Sequence, residues 1–445
     1  MKKKMFLSVL VILNLIFVGA IVEVFADAPP PLYIQFSPSA TKGALYYPDP
    51  VLFPNPHVGV VIMHRNSNFL SHIGTRELPK RGFVALGMNP RCDNNEARCR
   101  PWENNALDVK SGVNYLRNLP GITTVILLGH SGGGPTMSFY QAVAENGVSF
   151  CQNPTKLVKC GNGLAGLPPA DGMILMDAHP GNGVNAVRSL NPAVTNDPAI
   201  LNQNRTAQIN PELDPVSPKN GFNPSGPSTY SEDFKQRYFK AQSDRMNFLI
   251  QEALHRMEQI EAGTYKYPDD DAFIVPRGDD ARLMQADLSI HHSTVQPRAL
   301  LKNDGTIETC CVVESVRVPT LDPEANGEFG SALFLTVRSF LSVRAIRSTD
   351  SMDGIDWCSS NNSTPCNLQN VTIPLLVTAM GGHYFVRDSE IEYEMAASSD
   401  KEFIVIEGAS HGGTPCTACE QFPGQYSNTV KNLFDHMANW INARY

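Results

Sequence analysis

"TTVILLGHSGGGPTMSFYQ", residues 123–141, runs an apolar stretch into glycines, one serine and a proline. The leading "TTVILLGH" has the short, continuous apolar character of a strand buried on both faces of a parallel sheet. A helix is predicted through "TMSFYQAVAEN". Between the two stand Gly129, Ser131 and Gly133, a G-x-S-x-G pattern. A nucleophilic hydroxyl presented at such a junction needs a sharp, strained turn, with glycines beside it because a Cβ would clash. Pro135 suits the first helical turn, where a backbone N–H has no helical partner. The helix N-terminus brings N–H dipoles beside the hydroxyl, where an oxyanion would develop. A phosphate-binding loop is the competing reading of these glycines. It fails because no Lys-Ser/Thr follows them and no G-x-G-x-x-G forms at this turn.

A serine hydroxyl is a poor nucleophile without a base. "VIEGASHGG" places His411 in a glycine-flanked loop just after the last apolar strand, which distinguishes it from the other ten histidines. It is the candidate base.

Outward from this pair the chain alternates. "PLYIQFSPSATKGALYYPDP" reads as two short strands with a turn. "HVGVVIMH" (57–64) and "FVALGMNPR" (83–91) read as buried strands, and "FLSHIGTRELPKRG" between them has helical spacing. Residues 103–119 form an amphipathic pattern with Ala106, Val109, Val113, Leu116 and Leu119 on one stripe. "DGMILMDAHPG" (171–181) is a further strand and turn. Regularity then breaks: 183–345 is rich in Pro, Asn and Asp, with one clear helix over 231–263. Strand–helix alternation resumes with "IPLLVTAM" (373–380), "SEIEYEMAASS", "EFIVIEG" (402–408) and a C-terminal helix. The expected architecture is an α/β fold with a mostly parallel sheet. Its core would be residues 29–182 and 346–445, carrying 183–345 as an inserted cap or lid.

With G-H-S-G-G at the turn, "VVIMHRN", "GFVALGMNPR", "IPLLVTAM" and "EFIVIEGASH", the chain resembles the α/β-hydrolase superfamily over nearly all of its length except 183–345. That resemblance implies hydrolysis of an ester, lactone, amide or other acyl bond. It implies Ser131 as nucleophile, His411 as base and the Gly132 N–H as one oxyanion donor. Arg65 stands where the family has glycine, which leaves the Asn66 N–H as the second donor. The commonest family position for the triad acid falls at His383, which cannot do that job. The acid is then expected at Asp177, in a context resembling the lipase Leu-Asp-Pro turn, with Asp388 as the alternative. A serine at the elbow argues against chemistry that uses an Asp nucleophile.

The chain has 445 residues and a formal net charge of −8, with no basic stripe, so nucleic acid is not an expected partner. Lys2–Lys4, the apolar run Met5–Val22 and the small residues Ala26 and Ala28 read as a cleavable export signal over 1–28. An uncleaved anchor is the other reading, since the run approaches spanning length. No stable membrane insertion is expected after cleavage, and the protein would be secreted or periplasmic. Of ten cysteines, eight fall into close pairs (Cys92/Cys99, Cys151/Cys160, Cys358/Cys366, Cys416/Cys419), and Cys310 and Cys311 are adjacent. Loop disulfides suit an exported chain better than metal ligation. No cofactor and no metal are expected. Asp269–Asp271 reads as an acidic surface turn rather than a calcium site, and His291-His292 would point apart in a strand. His64 and Arg65 are expected beside the pocket. The predicted function is a serine hydrolase cleaving a small-molecule carboxylic ester or lactone. An amidase or peptidase, or an inactive hydrolase-fold binding module, are the alternatives.

Overall fold

The computed structural model describes residues 29–37, 41–201, 205–279, 282–321 and 332–445. The expected export signal lies outside the described residues.

The described strands are β1 (Leu32–Gln35), β2 (Lys42–Tyr46), β3 (Val58–Met63), β4 (Val84–Asn89), β5 (Thr124–His130) and β6 (Gly172–Met176), followed by β7 (Ala272–Val275), β8 (Ala299–Leu301), β9 (Ile307–Glu308), β10 (Leu333–Thr336), β11 (Leu375–Met380) and β12 (Lys401–Ile406). Ten of them form one sheet in the order β1-β2-β4-β3-β5-β6-β11-β12-β8-β9. From β4 to β8 every neighbouring pair is parallel, and β1, β2 and β9 add on antiparallel at the two edges. Residues of β3, β4, β6 and β11 are buried along their whole length. That is the reason their sequences read as unbroken apolar runs rather than alternating ones.

Helices cover both faces. Val109, Val113 and Leu116 of helix Asn105–Arg117 pack with Phe139 and Val143 of helix Gly133–Asn146 on one side. Leu433, Phe434, Met437 and Ile441 of the C-terminal helix Thr429–Asn442 cover the other. Each such side chain contributes ~1.5–3 kcal/mol on burial. This layered, mostly parallel sheet is the α/β-hydrolase fold expected above.

Within 183–345, helix Glu232–Glu261 starts where the Ser231 hydroxyl accepts the Phe234 N–H, with Glu232 and Asp233 in its first turn. Its Met246, Leu249 and Ile250 join Phe273 of β7, Leu335 of β10 and Phe340 in a separate apolar cluster. The same stretch also extends the main sheet, because Ala299–Leu301 pairs in parallel with Ile404–Ile406.

One local expectation changes. The "FLSHIGTRELPKRG" segment is helical only over Ile73–Glu77 and a 3-10 turn at Pro79–Arg81, where Pro79 and the left-handed Gly82 end it. Residues 161–166, "GNGLAG", carry the G-x-G-x-x-G spacing, yet they form a 3-10 turn at Asn162–Leu164 and no strand-to-helix junction. The four close cysteine pairs are bonded, and Cys310 and Cys311 are exposed and free. Asn361 and Asn362, both in N-x-S/T sequons, are buried. No helix among the described residues is long and apolar enough to cross a membrane.

Candidate active site

Parallel strands end on one edge of the sheet, so the residues that follow β3, β5, β6, β11 and β12 converge there. Those residues are His64 and Arg65, Ser131, Asp177 and His179, His383, and His411.

Ser131 sits between β5 and helix Gly133–Asn146 with φ +56°, a left-handed conformation rarely taken by a side-chain-bearing residue. Its neighbours allow no side chain. A Cβ on Gly129 would lie 2.8 Å from the Gly133 carbonyl oxygen, and one on Gly133 would lie 2.6 Å from the Met63 carbonyl oxygen. The strained turn is held by the Ser131 carbonyl, which accepts the N–H groups of Gly134 (3.0 Å) and His179 (2.9 Å).

Asp177 follows β6, also at positive φ (+42°), and is fully buried. Its Oδ1 accepts the Met380 N–H at 3.1 Å, and its Oδ2 accepts His411 Nδ1–H at 2.6 Å. His411 Nε2 lies 3.0 Å from Ser131 Oγ. The three residues therefore stand in one line of hydrogen bonds. Burial works to raise the Asp177 pKa, but His383 and His411 together outweigh it and hold the carboxyl below the usual carboxylate range. A carboxylate that stays ionised keeps the proton of His411 on Nδ1 and leaves Nε2 bare toward the hydroxyl.

His383, at the position where the family pattern would place the acid, approaches the same oxygen. Its Nδ1 is 2.7 Å from Asp177 Oδ2, without the alignment of a hydrogen bond. Burial lowers the His383 pKa to about 4 against the pull of Asp177. Donor atoms of Asp177, His383 and His411 lie within 4.8 Å of one another, near enough to share one cation. A cation there would have to displace the Nδ1 proton that orients His411.

The loop carrying His411 is tied down by two further imidazoles. Gly74 N–H donates to His72 Nδ1 (3.1 Å), so the His72 proton is on Nε2 and faces His130 Nδ1 at 2.8 Å. His130 Nε2–H then donates to the His411 carbonyl oxygen at 2.8 Å. Burial keeps both rings neutral, with His72 lowered to about 3 and His130 lowered well below its ordinary value. Only this pair of neutral tautomers makes every bond in the strut.

Gly132 adjoins the elbow as expected, and a Cβ there would lie 2.7 Å from His64 Nε2 and 2.8 Å from Arg65 Nη1. The expected second oxyanion donor differs. Asn66 N–H and Ser67 N–H both donate to His64 Nδ1, at 3.3 and 3.0 Å, so the Asn66 amide is turned away from the elbow. That bonding leaves the His64 proton on Nε2, the atom beside Gly132. Arg65 pairs with Glu96, which also binds Arg344, and the two guanidinium groups hold the Glu96 pKa at about 2 against the upward push of burial.

Asp388, the alternative acid, is elsewhere. It is buried and binds Arg188 Nη1 at 2.8 and 3.0 Å, with His291 Nδ1 at 3.8 Å. Asp271 accepts from Tyr265, Asp270 caps Arg338 N–H, and His292 faces Glu314. Sequence reading missed His179, whose Nε2 is 2.9 Å from Ser131 Oγ. It also missed the His72–His130 strut. The only signal for His179 was its place two residues after the candidate acid.

No family model matches the sequence, and no curated protein matches it. Among solved structures, the chain is similar to DcsB in complex with its substrate analogue at 9% identity and TM-score 0.44, covering 93% of this chain and 98% of that one. It is similar to the siderophore hydrolase EstB from Aspergillus fumigatus at 9% identity and TM-score 0.43, covering 94% and 98%. It is similar to Est1E from Butyrivibrio proteoclasticus at 11% identity and TM-score 0.37, covering 93% and 100%. Likeness at this level carries no substrate across.

Proposed function

We propose that this protein is an exported serine hydrolase that cleaves a carboxylic ester or lactone through an acyl-enzyme. The observation that carries the reading is the line Ser131 Oγ to His411 Nε2 (3.0 Å) and His411 Nδ1 to buried Asp177 (2.6 Å). His411 takes the Ser131 proton as Oγ attacks the carbonyl carbon. Asp177 stabilises the imidazolium that forms without itself taking the proton. The oxyanion develops beside Gly132, where its backbone N–H and the neighbouring His64 Nε2–H stand as donors. Each donor of this kind is worth about 3 kcal/mol of barrier. His411 then protonates the leaving group, and a water activated by the same nitrogen releases the acid product.

Four disulfides support passage through an oxidising compartment, in keeping with the leader-like residues 1–28. Residues 183–345 act as the wall and lid of the pocket. In support of this, Arg282 from that stretch donates to the Tyr384 hydroxyl at 2.7 Å, and the Tyr384 ring packs tilted against His383 at 4.0 Å between ring centres.

A fluorophosphonate tests the nucleophile without needing the substrate. A stoichiometric adduct on Ser131, absent in Ser131→Ala, is expected. An unlabelled wild-type protein would return the chain to the class of binding modules. A panel of short-chain, long-chain, aromatic and lactone esters then narrows the substrate.

A further inference from the structure

Ser131 Oγ has one proton and two imidazole nitrogens to give it to: His411 Nε2 at 3.0 Å and His179 Nε2 at 2.9 Å. The protonation of His179 follows from a backbone group. The Asn182 N–H donates to Asn362 Oδ1 at 2.8 Å, which fixes that atom as oxygen. The Asn182 side chain also reaches Asn362 Oδ1 at 2.8 Å and must do so with its NH2. Its oxygen is therefore the atom 3.1 Å from His179 Nδ1, and His179 carries its proton on Nδ1. Nε2 is bare. Asn182 and Asn362 are fully buried, so this orientation is not free to reverse. His179 itself is held neutral, well below its ordinary pKa, by burial and then by Arg65.

A neutral imidazole backed by an amide is a weak base beside one backed by a carboxylate. His179 is thus no rival to His411 for taking the serine proton. After acylation, however, Oγ has no proton, and two bare nitrogens stand 3.0 and 2.9 Å from the atom that carries the acyl group. Water is the nucleophile that has two protons. We propose that His179 is a further catalytic residue, which accepts a hydrogen bond from the second O–H of the deacylating water while His411 takes the proton of the first. The water oxygen bonds to the acyl carbon and one of its protons passes to His411 Nε2. As the carbon–Oγ bond breaks, that proton returns to Ser131 Oγ. The other hydrogen leaves with the product acid and never transfers to His179. With both O–H bonds anchored, the oxygen lone pair is directed at the carbonyl.

The inference rests on Ser131 being the nucleophile, so its test separates the two. Fluorophosphonate labelling of the wild type requires no water and reports Ser131 alone; failure to label removes the nucleophile and this inference with it. The inference itself is read from the fate of the acyl-enzyme formed from 4-nitrophenyl acetate in water and in water with methanol. Methanol has one O–H, so its attack needs only His411. In His179→Phe, and in His179→Ala if the larger ring does not fold, the acylation burst should stay within about threefold of wild type. Hydrolysis of the acetyl-enzyme should slow by ~10- to 100-fold, the loss of one hydrogen bond to a reacting group. An acetyl adduct should then accumulate by intact mass, and the ratio of methyl acetate to acetate should rise by about the same factor. His179→Gln, which keeps an acceptor oxygen near the Nε2 position, should recover most of the hydrolysis. An unchanged methanolysis-to-hydrolysis ratio in the acceptor-less variants, or equal loss of acylation and deacylation, overturns the proposal.

Discussion

His411 Nδ1 and Asp177 Oδ2 stand 2.6 Å apart although 234 residues separate them in the chain. Asp388, only 23 residues from His411, is bound instead to Arg188 in a buried ion pair with both side chains nearly inaccessible. The two carboxylates should therefore fail in different ways. Asp177→Asn should cut kcat by about 10⁴-fold with little change in unfolding midpoint, because the amide favours the wrong His411 tautomer. Asp388→Asn should keep kcat per folded molecule and lose ~3–5 kcal/mol of stability, since Arg188 is left buried without a counter-charge. Steady-state rates and urea midpoints on both variants decide it, and the opposite pattern would move the acid to Asp388.

Ser131→Ala should abolish turnover of activated esters, leaving about 10³- to 10⁴-fold over water from binding and the oxyanion donors. The fold should survive, since the substitution removes one half-buried hydroxyl from a turn held by backbone bonds. Activity near the wild-type rate in a purified variant would remove Ser131 from the chemistry.

Stability should fall as pH drops from about 6.5 toward 4. Burial lowers His72 to about 3, and His291 and His383 to about 4, and it lowers His64, His130 and His179 well below their ordinary values. The unfolded chain then binds more protons than the folded one across this window, and each group contributes a slope of up to ~1.4 kcal/mol per pH unit. Glu392, raised by burial and then by Asp388, and Glu103, raised by burial, work the other way and are outnumbered by the histidines. Thermal midpoints at pH 7 and pH 5 check the sign. A protein equally stable or more stable at pH 5 contradicts it.

Peptide mapping under non-reducing conditions should recover four short-range crosslinks and two thiols, at Cys310 and Cys311. The closed loops are short, so each bond should contribute about 2–3 kcal/mol. Ten alkylated thiols in the unreduced protein would exclude both the crosslinks and the export argument built on them.

Arg282→Ala should change KM for bulky esters more than for a small activated ester, because it releases Tyr384 from the lid-side contact at 2.7 Å. Equal shifts on both substrates would detach residues 183–345 from substrate choice.

What the sequence determined by itself is what depends on neighbours in the chain. Buried parallel strands need unbroken apolar runs, so β3, β4, β5, β6, β11 and β12 were legible. The elbow was legible because its strain demands glycine on both sides of Ser131 within five residues. Helix Glu232–Glu261 was legible over 231–263, and its serine cap and acidic first turn are local to the chain. The strand β8 did not, since three residues inside an irregular stretch carry no period, and only pairing with β12 makes them a strand. The site divides along the same line. Ser131 and His411 come from local patterns, whereas the hydrogen bonds of the histidines depend on which strand ends the sheet brings side by side. The Asn66 amide turned to His64 because a side chain two residues back offered a nearer acceptor. His383 came to face Asp177, His130 to hold His411, and His179 to share Ser131, through contacts spanning 48 to 281 residues. The protonated nitrogen of His64, His72 and His179 is set by a partner two or three residues along the chain. What the other nitrogen of His72 and His179 faces, and the carboxylate that orients His411, are decided by the sheet alone.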